Sequence, residues 1–166
     1  MAKVTQSTLP DGAFLLRYNS QVGAYTDCFV AHVSKPVALE AFISTFFDTW
    51  VFRLERKILS AFMGTASSAT DVQAIASGAS TQFASWQVEQ RGIEQILLKV
   101  GDGPIRTWLM RRNDGQGTQL FFGSAVLPMS RAKDGTPKMG FAFRALLGFH
   151  TLYSKVLLGA ALRKLR

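Results

Sequence analysis

Residues 141–165 read FAFRALLGFHTLYSKVLLGAALRKL, an apolar-rich run of about seven helical turns. Its polar or small side chains recur at intervals of three and four residues, which is the spacing of one face of an α-helix. These positions are Arg144, Gly148, Thr151, Lys155, Gly159 and Arg163. A helix that is apolar around most of its circumference must be covered by protein or lie against lipid. The run therefore predicts a long, largely buried C-terminal helix.

Upstream of this helix the hydrophobic period changes to two, which predicts β-strands. The segments with this alternation are Phe83–Arg91, Ile93–Val100, Ile105–Arg112 and Thr118–Leu127. Glycine-rich turns at 101–104 and 113–117 separate the later strands, and short turns of this kind join antiparallel neighbours. With a further strand at Ala24–Val33, we expect an antiparallel sheet of five or six strands.

A long helix is predicted between the first strand and the meander. Ser34 followed by Pro36 is a helix-start signal, and apolar residues then recur at helical spacing to about Phe62. This pattern is unusually long for a globular helix, so a bend is expected near Asp48–Thr49.

The remaining segments are shorter. Thr70–Gln73 has the form of a capping box, which predicts a short helix to about Ala79. Residues 1–23 are expected to be irregular, with an edge strand at Ala13–Tyr18. Pro128–Gly140 is a polar loop that is long enough to act as a lid.

The order strand, two helices, meander, long helix predicts an α+β fold in a single domain over residues 1–166. An antiparallel sheet with one apolar face needs a cover, and the C-terminal helix is the natural partner. We expect a curved antiparallel sheet that grips this helix, with a cavity between the two.

The composition is hydrophobic and basic. Apolar residues make up 48% of the chain, the mean hydropathy is +0.13, and 19 Lys and Arg residues against 11 Asp and Glu give a net charge of +8. Such a surface attracts nucleic acid, anionic lipid or an anionic ligand, or is basic without a specific partner. The basic runs at 131–138 and 163–166 are not interleaved with aromatic residues, so a nucleic-acid partner is the least favoured interpretation.

Cys28 is the single cysteine, so no intrachain disulfide can form, and a reducing compartment is expected. The chain does not open on a signal-peptide pattern, and charged residues and His150 interrupt its most apolar run. A cytoplasmic protein is predicted. Peripheral contact with an anionic membrane through the apolar helices and the basic C-terminus is an alternative.

Taken together, this layout over Ala24–Leu165 resembles the START-like superfamily, also called SRPBCC or helix-grip, which includes polyketide cyclases and the birch-pollen allergen fold. The tail FHTLYSKVLL at 149–158 is similar to that of uncharacterised bacterial members. The resemblance implies a cavity for lipids, sterols, polyketides or other apolar molecules. Only some members are enzymes, and the resemblance implies no catalytic residue in this chain.

A set of mostly aromatic side chains is predicted to line the cavity. These residues are Phe46, Trp50, Trp86, Trp108, Phe122, Phe149, His150 and Tyr153. Apolar pockets with a few polar groups are how proteins hold hydrophobic ligands. The same aromatic residues would serve equally well as ordinary packed core.

Few residues in the sequence are candidates for catalysis or metal binding. His150 lies one turn before Tyr153, and such a pair in an apolar cavity could do acid–base work, or His150 could be a structural core histidine. Cys28 and His32 are too far apart on an extended strand for a nucleophilic dyad, so Cys28 is expected to be a small buried residue. Two histidines and one cysteine without a cluster predict no metal site and no cofactor.

Three hypotheses of function remain. The first is binding of a hydrophobic or amphipathic small molecule, such as a lipid or polyketide-like compound, without assigned catalysis. The second is an interaction protein that forms a homo-oligomer or contacts a membrane surface. The third is a cyclase-like or hydrolase-like enzyme that uses His150 and Tyr153.

Overall fold

A computed structural model describes residues 3–53, 69–128, 130–131, 137–138 and 141–165, with the backbone alone for 130–131, 137–138 and 141–150. The strands are β1 (Thr5–Gln6), β2 (Tyr25–Val33), β3 (Gln82–Phe83), β4 (Trp86–Arg91), β5 (Gln95–Val100), β6 (Ile105–Asn113), β7 (Thr118–Val126), β8 (Ser130–Arg131) and β9 (Pro137–Lys138). The helices are α1 (Leu16–Asn19), α2 (Leu39–Phe47), α3 (Ala69–Ser77) and α4 (Phe141–Leu165).

Seven of the described strands form one antiparallel sheet in the order β1-β2-β7-β6-β5-β4-β3. The strands β4 to β7 pair in chain order as a meander, and the N-terminal strand β2 adds to the outer edge of β7. The predicted α+β fold with an antiparallel sheet packed against a C-terminal helix is confirmed. The expected five or six strands become seven because β1 and β3, with two residues each, are too short to show a hydrophobic period.

The C-terminal helix is confirmed over the predicted range, Phe141–Leu165. Its C-terminal half is packed into the core through buried residues such as Leu158, Ala161 and Leu162. Near its end, Lys164 Nζ lies 2.7 Å from Asp48 Oδ2 and so ties α4 to the end of α2.

The first long helix is interrupted where a bend was expected. The helix α2 ends at Phe47, and residues 50–53 are helical again after a turn at Asp48–Thr49. The Thr49 hydroxyl donates to Phe46 O at 2.9 Å and lies 3.3 Å from Phe52 N, so one side chain hydrogen-bonds both helical pieces. The predicted continuation to Phe62 lies outside the described residues.

Three predicted element starts were wrong. The helix α2 begins at Leu39 after Ala38, without a side-chain cap, so Ser34 does not cap it. Thr70 lies inside α3 rather than at its N-cap, because Ala69 is already helical. Residues 13–18 form turns and the start of α1 instead of an edge strand, and the edge strand is β1.

The sheet is buried on both faces. The helix face packs against α2, α3 and α4, and its buried side chains include Phe29 and Phe122. The opposite face is covered by residues 9–18, the N-terminal strap, and its buried side chains include Cys28 and Trp108. Double coverage explains why both faces of β2 are apolar in the sequence.

A glutamine fastens the strap to the sheet. Gln95 Oε1 accepts hydrogen bonds of 2.9 Å from Phe14 N and from Trp108 Nε1, and Gln95 Nε2 donates to Gly12 O at 3.0 Å. Burying these backbone and indole groups without partners would be costly, so the glutamine amide allows the strap to close over the apolar sheet face.

Candidate functional site

Polar side chains interrupt the apolar helix face at one end of β2. Tyr25 and Asp27 share this face with Phe29 because side chains two apart on a strand point the same way. Asp27 is 6% exposed, and its Oδ1 accepts a 2.9 Å hydrogen bond from Ser124 N, its register partner in β7. The Tyr25 hydroxyl lies 3.4 Å from Asp27 Oδ2.

The helix α4 runs along β2 on this face, from the Tyr25 end toward the Val33 end. Thr151 forms a side-chain hydrogen bond with Tyr25. Two turns later, a Cβ at Gly159 would lie 3.9 Å from Val4 Cγ2, and Val4 directly precedes β1, which pairs with the middle of β2. The two contacts fix the direction in which α4 crosses β2.

Ser154 lies between these contacts, one turn after Thr151, and therefore about level with Asp27. Its side chain is fully buried, and within the described part of the chain its Oγ has no hydrogen-bond partner. We call Tyr25, Asp27, Ser124, Thr151 and Ser154 the polar patch. It joins a carboxylate and four hydroxyls from β2, β7 and α4 on an otherwise apolar wall.

The patch holds a tyrosine that stays protonated. Burial raises the pKa of Tyr25 to about 12, helped by the negative charge of Asp27 and the hydrogen bond to it, while the hydrogen bond to Thr151 acts in the opposite direction. The phenol is therefore a hydrogen-bond donor at neutral pH rather than a base. The patch is suited to hold a polar group, and Tyr25 is not poised to remove a proton.

Four of the predicted site residues lie on the helix face or against its core. Phe46 and Phe122 are buried with ring centroids 4.9 Å apart, Trp86 is 2% exposed, and Tyr153 packs partly buried against the same cluster. Among the described residues, Phe46, Phe122 and Trp86 are packed core, as the alternative interpretation had it.

Of the other four, Trp50 and Trp108 do not join this group, and the side chains of the remaining two cannot be placed. Trp50 begins the second helical piece and is 62% exposed. Trp108 lies on the strap face because its neighbour Leu109 faces the helices, so it cannot line a space between the sheet and α4. The side chains of Phe149 and His150 lie outside the described residues, although their backbone belongs to α4.

Cys28 and His32 lie in different surroundings and do not form a nucleophilic dyad, as predicted. Cys28 is 1% exposed on the strap face, and burial, followed by the negative charge of Asp27, raises the pKa of its thiol to about 12. His32 is exposed and lies 3.2 Å from Asp114 Oδ2 in the β6–β7 turn, at the far end of β2 from the polar patch. Within the described residues, no group of three His, Cys, Asp or Glu side chains could hold a metal ion.

Two open clefts lined by described residues lie elsewhere. One of about 350 Å³ sits between Ser34–Pro36 and the turn around Gly115–Gly117, and a second of about 270 Å³ adjoins it at His32. Both are at the Val33 end of β2, away from the polar patch.

In the described part of the chain, no helix has the length and apolarity needed to cross a bilayer.

No family model matches the chain, and no curated protein matches its sequence. Solved structures with a similar chain path include the following two. The crystal structure of CalU16 from Micromonospora echinospora matches with a TM-score of 0.41 and 13% identity, over 100% of this chain and 83% of CalU16. An AHSA1-like protein from Rhizobium etli, solved by solution NMR, matches with a TM-score of 0.35 and 14% identity, over 83% and 84% of the two chains.

Matches this remote describe the chain path alone and carry nothing about ligand, activity or partner.

The sequence analysis missed the polar patch, although signals for two of its members were present. Asp27 stands in the same alternation as Phe29, Ala31 and Val33, so a carboxylate on a buried face was predictable from parity. Thr151 belongs to the polar stripe of the C-terminal helix. Nothing in the sequence pairs that stripe with β2.

Proposed function

We propose that the protein binds a hydrophobic or amphipathic small molecule, lipid-like or polyketide-like, between the helix face of the sheet and the N-terminal half of α4. The single observation that carries the proposal is the polar patch, a cluster of hydrogen-bonding groups on an apolar wall. Ligand sites for apolar molecules have this composition, with a few polar groups that fix orientation.

The position of the proposed ligand between the sheet and α4 follows from the packing of that helix. The C-terminal half of α4 is filled against the sheet by Leu158, Ala161 and Leu162, so a ligand belongs toward the other half. Phe149 and His150 directly precede the patch residue Thr151 on α4 and are proposed as further contacts, together with Tyr153. No catalysis is proposed.

Binding of the neutral dye Nile red, followed by its fluorescence and by native mass spectrometry, tests the proposal. The wild-type protein should bind the dye saturably, and Thr151→Trp should reduce affinity at least about tenfold because the indole fills the space beside Tyr25. Leu152→Trp is the matched control, since Leu152 is 60% exposed on the outer face of the same helix.

Circular dichroism and thermal melts establish that both variants fold. A protein that binds no dye would contradict the proposed function. Equal binding by wild type and a folded Thr151→Trp variant would exclude the proposed location.

A further inference from the structure

We infer that the outward face of α4 docks the protein on the surface of an anionic lipid membrane. This face, the outer stripe, consists of Leu152, Lys155, Val156, Gly159 and Arg163. The inference is carried by exposed apolar side chains that lie between cations on a helix without acidic residues. It is independent of the proposed ligand site, which lies on the sheet-facing side of α4.

The outer stripe is the water-facing side of a helix that is otherwise packed. Its members lie within about 100° of one another around the helix axis. Leu152 is 60% exposed and Val156 is 37% exposed, and the side chains of Lys155 and Arg163 are exposed beside them. The leucine and the valine are one turn apart and contribute little to the core that α4 forms with the sheet.

The charge of this part of the chain is uniformly positive. Residues 135–166 include no Asp or Glu and six Lys or Arg, at positions 138, 144, 155, 163, 164 and 166. Asp48, which contacts α4 from the end of α2, lies between two cations, with 2.7 Å to Lys164 Nζ and 2.9 Å to a guanidinium nitrogen of Arg53. The outer stripe therefore presents a positive surface, which attracts an anionic one.

This combination of side chains fits a lipid surface. Cations that contact anionic headgroups, next to apolar side chains that enter the boundary of the acyl chains, are how amphipathic helices lie on membranes. A symmetric pair of copies would bring Lys155 and Arg163 of one copy against the same cations of the other, and like charges repel. Nucleic acid would contact the cations but would leave Leu152 and Val156 against phosphate groups.

Co-sedimentation with lipid vesicles tests the inference. The protein should bind vesicles of equal parts phosphatidylglycerol and phosphatidylcholine at least about tenfold more tightly than vesicles of phosphatidylcholine alone. Raising the salt concentration from about 0.1 M to about 1 M should weaken this binding, because the screening length falls from roughly 10 Å to roughly 3 Å.

A charge reversal locates the contact. Lys155→Glu should lower the affinity for the anionic vesicles about fivefold or more. Lys99→Glu is the matched control, because it changes the net charge equally but lies on the strap face of β5, in alternation with the buried Leu97. It should change the affinity less than about twofold.

A second pair of variants tests the apolar contact. Leu152→Ser should lower the affinity about fivefold, because it removes the most exposed apolar side chain of the outer stripe. Ile93→Ser is its control. Ile93 is 90% exposed in the β4–β5 turn, beside the strap, where a Cβ at Gly92 would lie 3.1 Å from Phe14 Cζ.

Circular dichroism establishes that all four variants fold, which is expected for substitutions of exposed residues and of the half-buried Lys99. Equal binding to both kinds of vesicle, or unchanged binding by folded Lys155→Glu or Leu152→Ser, overturns the inference. A protein that ignores anionic vesicles overturns it as well, including one that uses the outer stripe to dimerise in analytical ultracentrifugation or to bind duplex DNA.

Discussion

At the scale of single residues, burial sets the chemistry of two titratable side chains of β2, Tyr25 and Cys28. The Tyr25 phenol and the Cys28 thiol both have pKa values raised to about 12, because the ionised forms would lose water and lie close to the Asp27 carboxylate. Cys28 is therefore an inert, thiol-bearing core residue. Tyr25 is a fixed hydrogen-bond donor.

These shifts predict that the folded state loses stability in alkali. The ordinary pKa values are 9.0 for the thiol and 10.0 for the phenol, so above pH 9.0 the unfolded chain releases protons that the native protein keeps. The stability that the two raised pKa values contribute is fully present below the pKa values of the unfolded chain. It is lost as the pH rises toward the pKa values of the folded protein. Urea unfolding should show that the free energy of unfolding falls by on the order of 3 kcal/mol between pH 9 and about pH 11.

Cys28→Ala should flatten this pH dependence, because it removes the larger of the two shifts. A wild-type stability that is constant or rises over the same interval would contradict the assignment.

At the scale of elements, the turn between β6 and β7 is closely packed against the end of β2. A Cβ at Gly117 would lie 2.1 Å from Val33 O and 2.9 Å from Ser34 Cα. Gly115, two residues earlier, has a positive φ of 83° and nothing within 4 Å of its Cβ position. Gly117 is therefore required for close approach in addition to its own positive φ of 157°, whereas Gly115 is required for its left-handed backbone alone.

Alanine at these positions should separate the cost of close approach, which applies to Gly117 alone, from the cost of a positive φ, which applies to both. Gly115→Ala costs only the left-handed conformation, about 1 kcal/mol of unfolding free energy. Gly117→Ala forces backbone against backbone and should cost about 3 kcal/mol or more. Urea unfolding of both variants checks the ranking, and equal losses would mean that the β6–β7 turn does not pack on Val33.

At the scale of the whole molecule, the N-terminal strap makes the sheet a middle layer. Leu15 is fully buried beside Trp108 and Cys28 on the strap face, whereas Val22 in the same N-terminal segment is 74% exposed. The strap is thus part of the fold, and a sheet without it would present a large apolar face to water.

Leu15→Ala should lower the free energy of unfolding by about 2 to 5 kcal/mol, as expected for a cavity in a packed core. Val22→Ala, the matched control, should change it by less than about 0.5 kcal/mol. Chemical denaturation followed by tryptophan fluorescence measures both. A Leu15→Ala protein as stable as wild type would show that the strap is not packed on the sheet in solution.

The sequence by itself determined the elements whose pattern is local and long. The bounds of α4 and the meander from β4 to β7 were predicted within a few residues, because periods of 3.6 and 2 are written into successive side chains. The break at Asp48–Thr49 was also expected from helix length. The two-residue strands and the strap were not predicted from the sequence, because their conformation depends on the layers that they cover.

Only the tertiary structure decided which side chains meet. Alternation fixes that Trp108 and Leu109 point to opposite faces, but the packing of α2 and α4 decides which of those faces is the helix face. In the same way, Asp27 meets Ser124 through the β2–β7 register, and Ser154 reaches its level through the path of α4. Periodicity is a property of neighbours along the chain, whereas a site forms between residues about a hundred positions apart, brought together by the free energy of burying both faces of one sheet.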